Sequence, residues 1–210
     1  MSKREQQKLQ RRQNIIQIAK DLFLEQGVQN IQMQDVADAA GVGIATIFRY
    51  FPKKEYLVIA ASNSITNEMA TDIGQIVEQT IPAFEKIEQI LDYYISGSKD
   101  PQLRLAKFFE SFDLYEKMAA ESTEQYAEYL FARSKLATIL LALAEQGKKD
   151  GSLRTDIDLD VFIITMVQNF SLFTFKSSLT THDTNLSTFL SADKQLTMIK
   201  DVFLTYIRPQ

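Results

Sequence analysis

The chain has no cysteine, no tryptophan and a single histidine among its 210 residues. Without cysteine there can be no disulfide, no thiolate nucleophile and no cysteine-ligated zinc or iron–sulfur centre. The lone histidine, His182 in Thr180-Thr181-His182-Asp183-Thr184, cannot by itself build a histidine-rich metal site and reads as a solvated loop residue. Seven glycines and four prolines are less than half of the roughly 12% that average usage would supply. So few turn formers argue against a many-stranded sandwich or barrel and favour long helices with short connections. No window holds the roughly 18 consecutive apolar residues of a membrane helix, and Met1-Ser2-Lys3-Arg4-Glu5-Gln6-Gln7 is too polar for a signal peptide, so a cytoplasmic protein without a membrane partner is expected. Nor is there a phosphate-binding glycine loop, a metal-ligand spacing or an activated nucleophile. The 27 acidic residues could bring two carboxylates together, but nothing marks a pair, and neither an enzyme nor a cofactor or metal is expected.

What is present is the composition of a globular protein, 45% hydrophobic and 24% charged, with the charge unevenly placed. Residues 1–60 hold nine Lys/Arg against six Asp/Glu, a balance of +3, while the remainder carries −7. A small basic head on an acidic body can present the head to a phosphate backbone while the body is repelled.

Apolar residues recur at helical steps along the whole chain. From Asn14, Ile15, Ile18, Ala19, Leu22 and Phe23 predict a first helix that stops at Gly27. A short second helix follows around Met33, Val36, Ala37 and Ala40, and a third runs from Ile44 to Phe51, stopped by Pro52. A long helix carries Leu57, Ala61, Ile65, Met69, Ile73 and Ile76. Further helices are predicted over Phe84–Ile95, from about Pro101 after the break at Ser96-Gly97-Ser98, and from Glu124 to Gln146, stopped at Gly147. The next enters after Asp156 or Asp158 and reads Val161-Phe162-Ile163-Ile164-Thr165-Met166-Val167, apolar nearly all round. A helix of that kind must be covered on more than one face, here in part by a partner subunit. The last runs from Asp193 to Ile207. No strand period and no internal repeat appears, and the class expected is all-α.

Residues 31–57 carry the most specific pattern. Ala37 and Ala40 are small enough for two helices to cross closely, Gly41 can take the left-handed conformation of a tight turn, and Val42 can plug the angle between the helices. The following helix would expose Ile44, Ala45, Thr46 and Arg49, with Ile47, Phe48 and Phe51 in the core. Two helical turns fit the major groove, where arginine reads guanine and small apolar groups touch the thymine methyl.

Asp35-Val36-Ala37, Ala40-Gly41-Val42, Ala45-Thr46-Ile47-Phe48-Arg49-Tyr50-Phe51 and Lys54-Glu55-Tyr56-Leu57 closely resemble the DNA-binding head of the TetR family of transcriptional repressors. The resemblance covers about residues 10–60. It implies a bacterial homodimer in which residues 1–55 bind a palindromic double-stranded DNA operator and residues 56–210, about six helices, hold a small-molecule effector and pair with the other subunit. It also implies that Ile44, Ala45 and Arg49 face bases, that Thr46 and Tyr50 contact sugar and phosphate, and that Lys54 meets phosphate at the start of the fourth helix. Gln32, Gln34 and Gly43 complete the expected DNA-facing set. Gln32 and Gly43 depart from the Ser or Thr usual in the family, which alters phosphate contacts and capping. The N-terminal residues Lys3, Arg4, Lys8, Arg11 and Arg12 could reach the backbone or a minor groove, or remain a frayed, solvated arm.

In the body, Phe108, Phe109, Phe112 and Tyr115, Tyr126 and Tyr129, and Phe170 and Phe173 form an aromatic interior that could line a pocket for a lipophilic or aromatic effector, with Glu110, Asp113 or Glu116 to meet a cation. The dimer interface is expected on Ile164, Gln168, Leu172, Ile199 and Phe203. The alternative is a helical interaction module tethered to DNA, sensing no small molecule.

Overall fold

The computed structural model describes residues 2–96, 108, 112, 115, 124–179 and 192–209, with residues 96, 171, 174–179 and 192 described by backbone alone. Its regular structure is helical: α1 Lys3–Gln26, a 3-10 turn Val28–Asn30, α2 Met33–Ala39, α3 Ile44–Tyr50, α4 Lys54–Val77, α5 Ala83–Ser96, α6 Glu124–Asp150, α7 Leu159–Leu179 and α8 Ala192–Ile207. The chain is therefore all-α, as its scarcity of turn formers implied. The Gly97-Ser98 break, the helix start at Pro101, Phe109, Glu110, Asp113, Glu116 and His182 lie outside the described residues. Among those described, no helix is long and apolar enough to cross a membrane.

By compactness the chain divides into Met1–Glu68 with Lys107–Arg133, and Met69–Ala106 with Ser134–Gln210. The first unit keeps the start of α4 with the three N-terminal helices and takes in Phe108, Phe112 and Tyr129. In it, α1 buries Ile15, Ala19 and Phe23 at steps of four. The Phe23 ring lies 6.4 Å from Phe108, which stacks on Phe112 at 6.0 Å, which meets Tyr129 edge-on at 5.2 Å.

α1 begins at Lys3, twelve residues before its apolar stripe opens at Ile15, so the basic arm is not frayed. Ser2 and Glu5 form a capping box: the Ser2 amide donates to Glu5 Oε2 at 2.6 Å and the Glu5 amide to Ser2 Oγ at 3.3 Å. Two N-terminal donors that a bare helix end leaves unpaired are thereby satisfied.

The second unit packs α5, α7, α8 and parts of α4 and α6 around Ile73, Ile87, Leu91, Leu143, Ile163, Phe170 and Leu196. α6 runs through Gly147 instead of stopping there. Gly147 is buried under Leu153, whose Cδ1 would lie 2.1 Å from any Cβ at that position. The chain leaves the helix at Gly151 instead, with φ of +69°. This glycine contact draws the Asp150–Ser152 segment over the start of α5. Asp150 Oδ2 accepts from the Ala83 amide at 2.9 Å, and Ser152 Oγ from the Phe84 amide at 3.2 Å. Buried Lys86 donates to the Val77 carbonyl at 2.6 Å and to Gln146 Oε1 at 2.8 Å, capping the C-terminal end of α4 where a cation is favoured.

Burial raises the Asp150 carboxyl, but hydrogen bonds from Ser152, Ala83 and Gln146 together hold it below its ordinary value of 3.8. A depressed carboxyl stabilises the fold above that value, and the contribution is lost as pH falls through the lower, folded value. Asp150→Ala should therefore cost about 1 kcal/mol near pH 7, as loss of a helix cap does. In thermal melts the gap to the unaltered chain should close as the pH drops below 3.8; an equal gap at every pH would contradict the cap.

Candidate nucleic-acid interface

The helix-turn-helix is assembled from small residues and one left-handed turn. Ala37 is fully buried where α2 and α3 cross. Gly41 has φ of +62°, a conformation that would cost any other residue roughly 1–2 kcal/mol. The turn is closed by amide donation from Val42 to the Ala37 carbonyl at 3.0 Å and from Gly41 to Asp38 at 3.2 Å. Val42 is half-buried. At the start of α2, Asp35 Oδ2 accepts from the Gln32 amide at 2.6 Å, so a carboxylate inside the first turn compensates for the absent Ser or Thr. Gly43 caps α3 in an extended conformation with no atom within 4 Å of a Cβ built there.

In α3, Ile47 is buried and Phe51 follows it into the core. Their spacing of four fixes the rotation of the helix. Ala45, Phe48 and Arg49 are exposed, and Ile44, Thr46 and Tyr50 are half-buried at the flanks. Phe48 corrects the sequence reading: it is 46% exposed and stands on the face of Ala45 and Arg49, because positions 45, 48 and 49 share a side when 47 and 51 point inward. Its exposure could have been found by placing α3 on a helical wheel instead of counting its aromatics. The Arg49 guanidinium lies 5.6 Å from the centroid of the Tyr50 ring. This surface offers apolar groups of the kind that touch a thymine methyl beside a forked donor that matches guanine O6 and N7.

The remaining expected DNA-facing residues are placed differently. Gln32, just before α2, and Gln34 on it are exposed, and Gln34 Nε2 donates to Asp38 Oδ1 at 2.7 Å. Lys54 is engaged within the fold: its ammonium donates to the Val28 carbonyl at 2.6 Å and lies 5.5 Å from the centre of the Tyr115 ring. Burial lowers its pKa, and Glu55 and Asp35 partly offset this. Arg12 is likewise engaged, by Glu128 at 3.1 Å and by the face of Phe51 at 5.6 Å.

Residues 15–61 match the profile of bacterial regulatory proteins, tetR family. The N-terminal head of this chain is that of the TetR family. The chain is 33% identical over 92 residues to the HTH-type transcriptional regulator SAB2452 of Staphylococcus aureus (strain bovine RF122 / ET3-1), a match covering 44% of this chain and half of that relative. It is 24% identical over 151 residues to the HTH-type transcriptional repressor KstR2 of Rhodococcus jostii (strain RHA1), 72% of each chain. A transcriptional regulator from Saccharomonospora viridis solved in complex with choline has the same fold, with a TM-score of 0.71 at 16% identity over 95% of this chain and 98% of that one. The curated relatives that this chain matches are named transcriptional regulators.

The expected ligand residues are shared between the two units. Phe108, Phe112 and Tyr129 are buried core of the first unit, with Tyr126 half-buried at 6.3 Å from Tyr129. Tyr115 covers Lys54, and its hydroxyl is pushed up by burial and by Glu55. Phe170 and Phe173 belong to the second unit, where Phe170 is fully buried against Tyr94 at 6.3 Å and Phe203 at 6.3 Å. Of the expected dimer residues, Ile164, Ile199 and Phe203 pack on the core of that unit, because Phe162 and Phe170 draw Phe203 inward. Gln168 and Leu172 are exposed. The apolar side chains that do face outward are Val161 and Leu172 on α7 and Met198, Val202 and Tyr206 on α8, 48–61% exposed.

Lys54→Met separates a structural from a phosphate role. Removing the ammonium leaves the Val28 carbonyl unpaired, so the melting temperature should fall by the equivalent of about 1–3 kcal/mol. An unchanged melt with a salt slope of DNA binding lower by about 0.9 would restore the phosphate contact.

Proposed function

We propose that this chain is a ligand-responsive repressor that binds a palindromic operator as a homodimer, with α3 in the major groove. The observation that carries this reading is the outward face of α3, where Ala45, Phe48 and Arg49 stand together while Ile47 and Phe51 anchor the helix. Arg49 would pair with guanine, Phe48 and Ala45 would meet thymine methyls, and Ile44, Thr46, Tyr50 and Gly43 would border the sugar-phosphate backbone. Gln32 and Gln34 would lie at the groove edge.

The dimer would form through the outward apolar residues of α7 and α8, Leu172 among them, with Gln168 beside them. A two-fold pairing of two such helices buries the same patch on both subunits. The effector would be a small lipophilic or aromatic molecule lodged beside Phe112, Tyr126 and Tyr129. These rings continue, through Phe108, to Phe23 on α1, so a ligand that displaces one of them presses on the unit that carries α3. Such a ligand acts only through its different affinity for the DNA-competent and incompetent states, about 5.5 kcal/mol for a shift from 99% to 1%. The regulator with this fold solved with choline supports a small organic effector.

The test is selection of bound fragments from sheared source-genome DNA by the full chain, by Phe48→Ala and by Leu172→Glu. The unaltered chain should enrich one site of two inverted half-sites about one helical turn apart. Phe48→Ala should lose roughly 1–3 kcal/mol of discrimination at a thymine of each half-site. Leu172→Glu should sediment as a monomer and enrich nothing. No enrichment by the unaltered chain, freed of bound small molecules, would contradict the reading.

A further inference from the structure

The first three turns of α1 bury no side chain, and within them, among the described residues, only Arg12 is engaged by the rest of the unit, through Glu128 and Phe51. Residues 3–14 are exposed except for half-buried Arg12, so this part of the helix buries no apolar stripe and is held by the capping box and by continuity with its buried second half. Its charge is concentrated: Lys3, Arg4, Lys8, Arg11 and Arg12 against Glu5 alone. Arg4, Gln7, Lys8 and Arg11 fall at steps of three and four on one side. With Arg49 and Tyr50 of α3 they line a cleft of about 440 Å³ that no acidic side chain enters. Four cations converge there, and among the described residues no ion pair neutralises Arg4, Lys8, Arg11 or Arg49.

We infer that this cleft is a phosphate clamp for the duplex backbone flanking the half-site that α3 reads, which extends the DNA contact beyond the helix-turn-helix. This rests on the assignment of α3 as the DNA-reading helix. A helix about 10–12 Å across cannot enter a minor groove about 6 Å wide, so an arm that is helical grips backbone and does not read bases there. From Arg4 to Arg11 the helix rises about 10 Å, and the charges of one DNA strand recur about every 3.4 Å along its axis. The stripe therefore tracks about three successive phosphates of one strand, beside the strand position that Tyr50 borders. Phosphate contacts fix register and orientation and carry no base information.

The experiment measures binding of the full chain to its selected duplex and to an unrelated duplex of equal length, across 50–200 mM salt. Arg4→Gln/Lys8→Gln/Arg11→Gln keeps residues of good helix propensity. It should lower the slope of log affinity against log salt by about 2.7, roughly 0.9 per phosphate, so that the affinity lost over this salt range shrinks by roughly forty-fold. Both duplexes should weaken by the same factor, leaving their ratio unchanged. Arg4→Lys/Arg11→Lys should keep the slope, because a point charge suffices for phosphate. An unchanged slope in the triple variant, or a slope lost in the lysine variant, overturns the clamp. Calorimetric titration with inorganic triphosphate in the absence of DNA separates a free anion from the backbone. Micromolar binding that the triple variant abolishes, with the DNA slope intact, makes the cleft a small-anion site and overturns the proposal. If the unaltered chain binds neither duplex, the DNA-reading assignment of α3 falls and the clamp with it; equal slopes with binding retained remove the clamp alone.

Discussion

The burial of Ile47 and Phe51, one helical turn apart, is the constraint from which the outward face of α3 follows. Once both are fixed in the core, α3 has no rotational freedom, and Ala45, Phe48 and Arg49 must point outward. Close approach of α2 and α3 at Ala37 and the left-handed Gly41 turn then set the angle at which that face is presented. Each feature is inexpensive alone; together they allow a seven-residue helix, too short to be stable in isolation, to hold its side chains in one orientation.

The first unit is held by the same kind of economy. The second half of α1 supplies Ile15, Ala19 and Phe23 to the core, and Phe23 opens a run of stacked and edge-on rings through Phe108 and Phe112 to Tyr129. Aromatic pairs at such separations add roughly 0.5–1.5 kcal/mol each to the apolar burial itself. Lys20, almost wholly buried, reaches Glu68 at 2.6 Å and ties α1 to α4. Cations that look alike in the sequence thus have separate duties. Lys20, Lys54, Lys86 and Arg12 satisfy carbonyls, amide oxygens, carboxylates or rings of the fold, while Arg4, Lys8, Arg11 and Arg49 remain directed at solvent around one cleft.

The helical class, the limits of α2, α3, α5 and α8 and the turn at Gly41 were legible in the sequence, because apolar period and glycine placement act within a few residues. The early start of α1 was also written there, in Ser2-Lys3-Arg4-Glu5, but as a capping signal without an apolar stripe, so periodicity passed over it. What could not be read depended on distant partners. Gly147 resembles a helix stop, yet Leu153 requires the absence of its side chain. Phe203 resembles an interface residue until the rings of Phe162 and Phe170 are found packed against it. Lys54 resembles a phosphate ligand until the Val28 carbonyl is found within reach of its ammonium. Phe48 resembles a core aromatic by residue type, but the register set by Ile47 turns it outward.

The claim on which the rest stands is that α3 reads base edges from the major groove. Methylation interference on the selected duplex tests it directly, since a methyl group at guanine N7 stands in the major groove and one at adenine N3 in the minor groove. The account predicts that N7 methylation of a guanine in each half-site abolishes binding, while N3 methylation at the same half-sites is tolerated. Binding indifferent to N7 methylation and blocked by N3 methylation would contradict it.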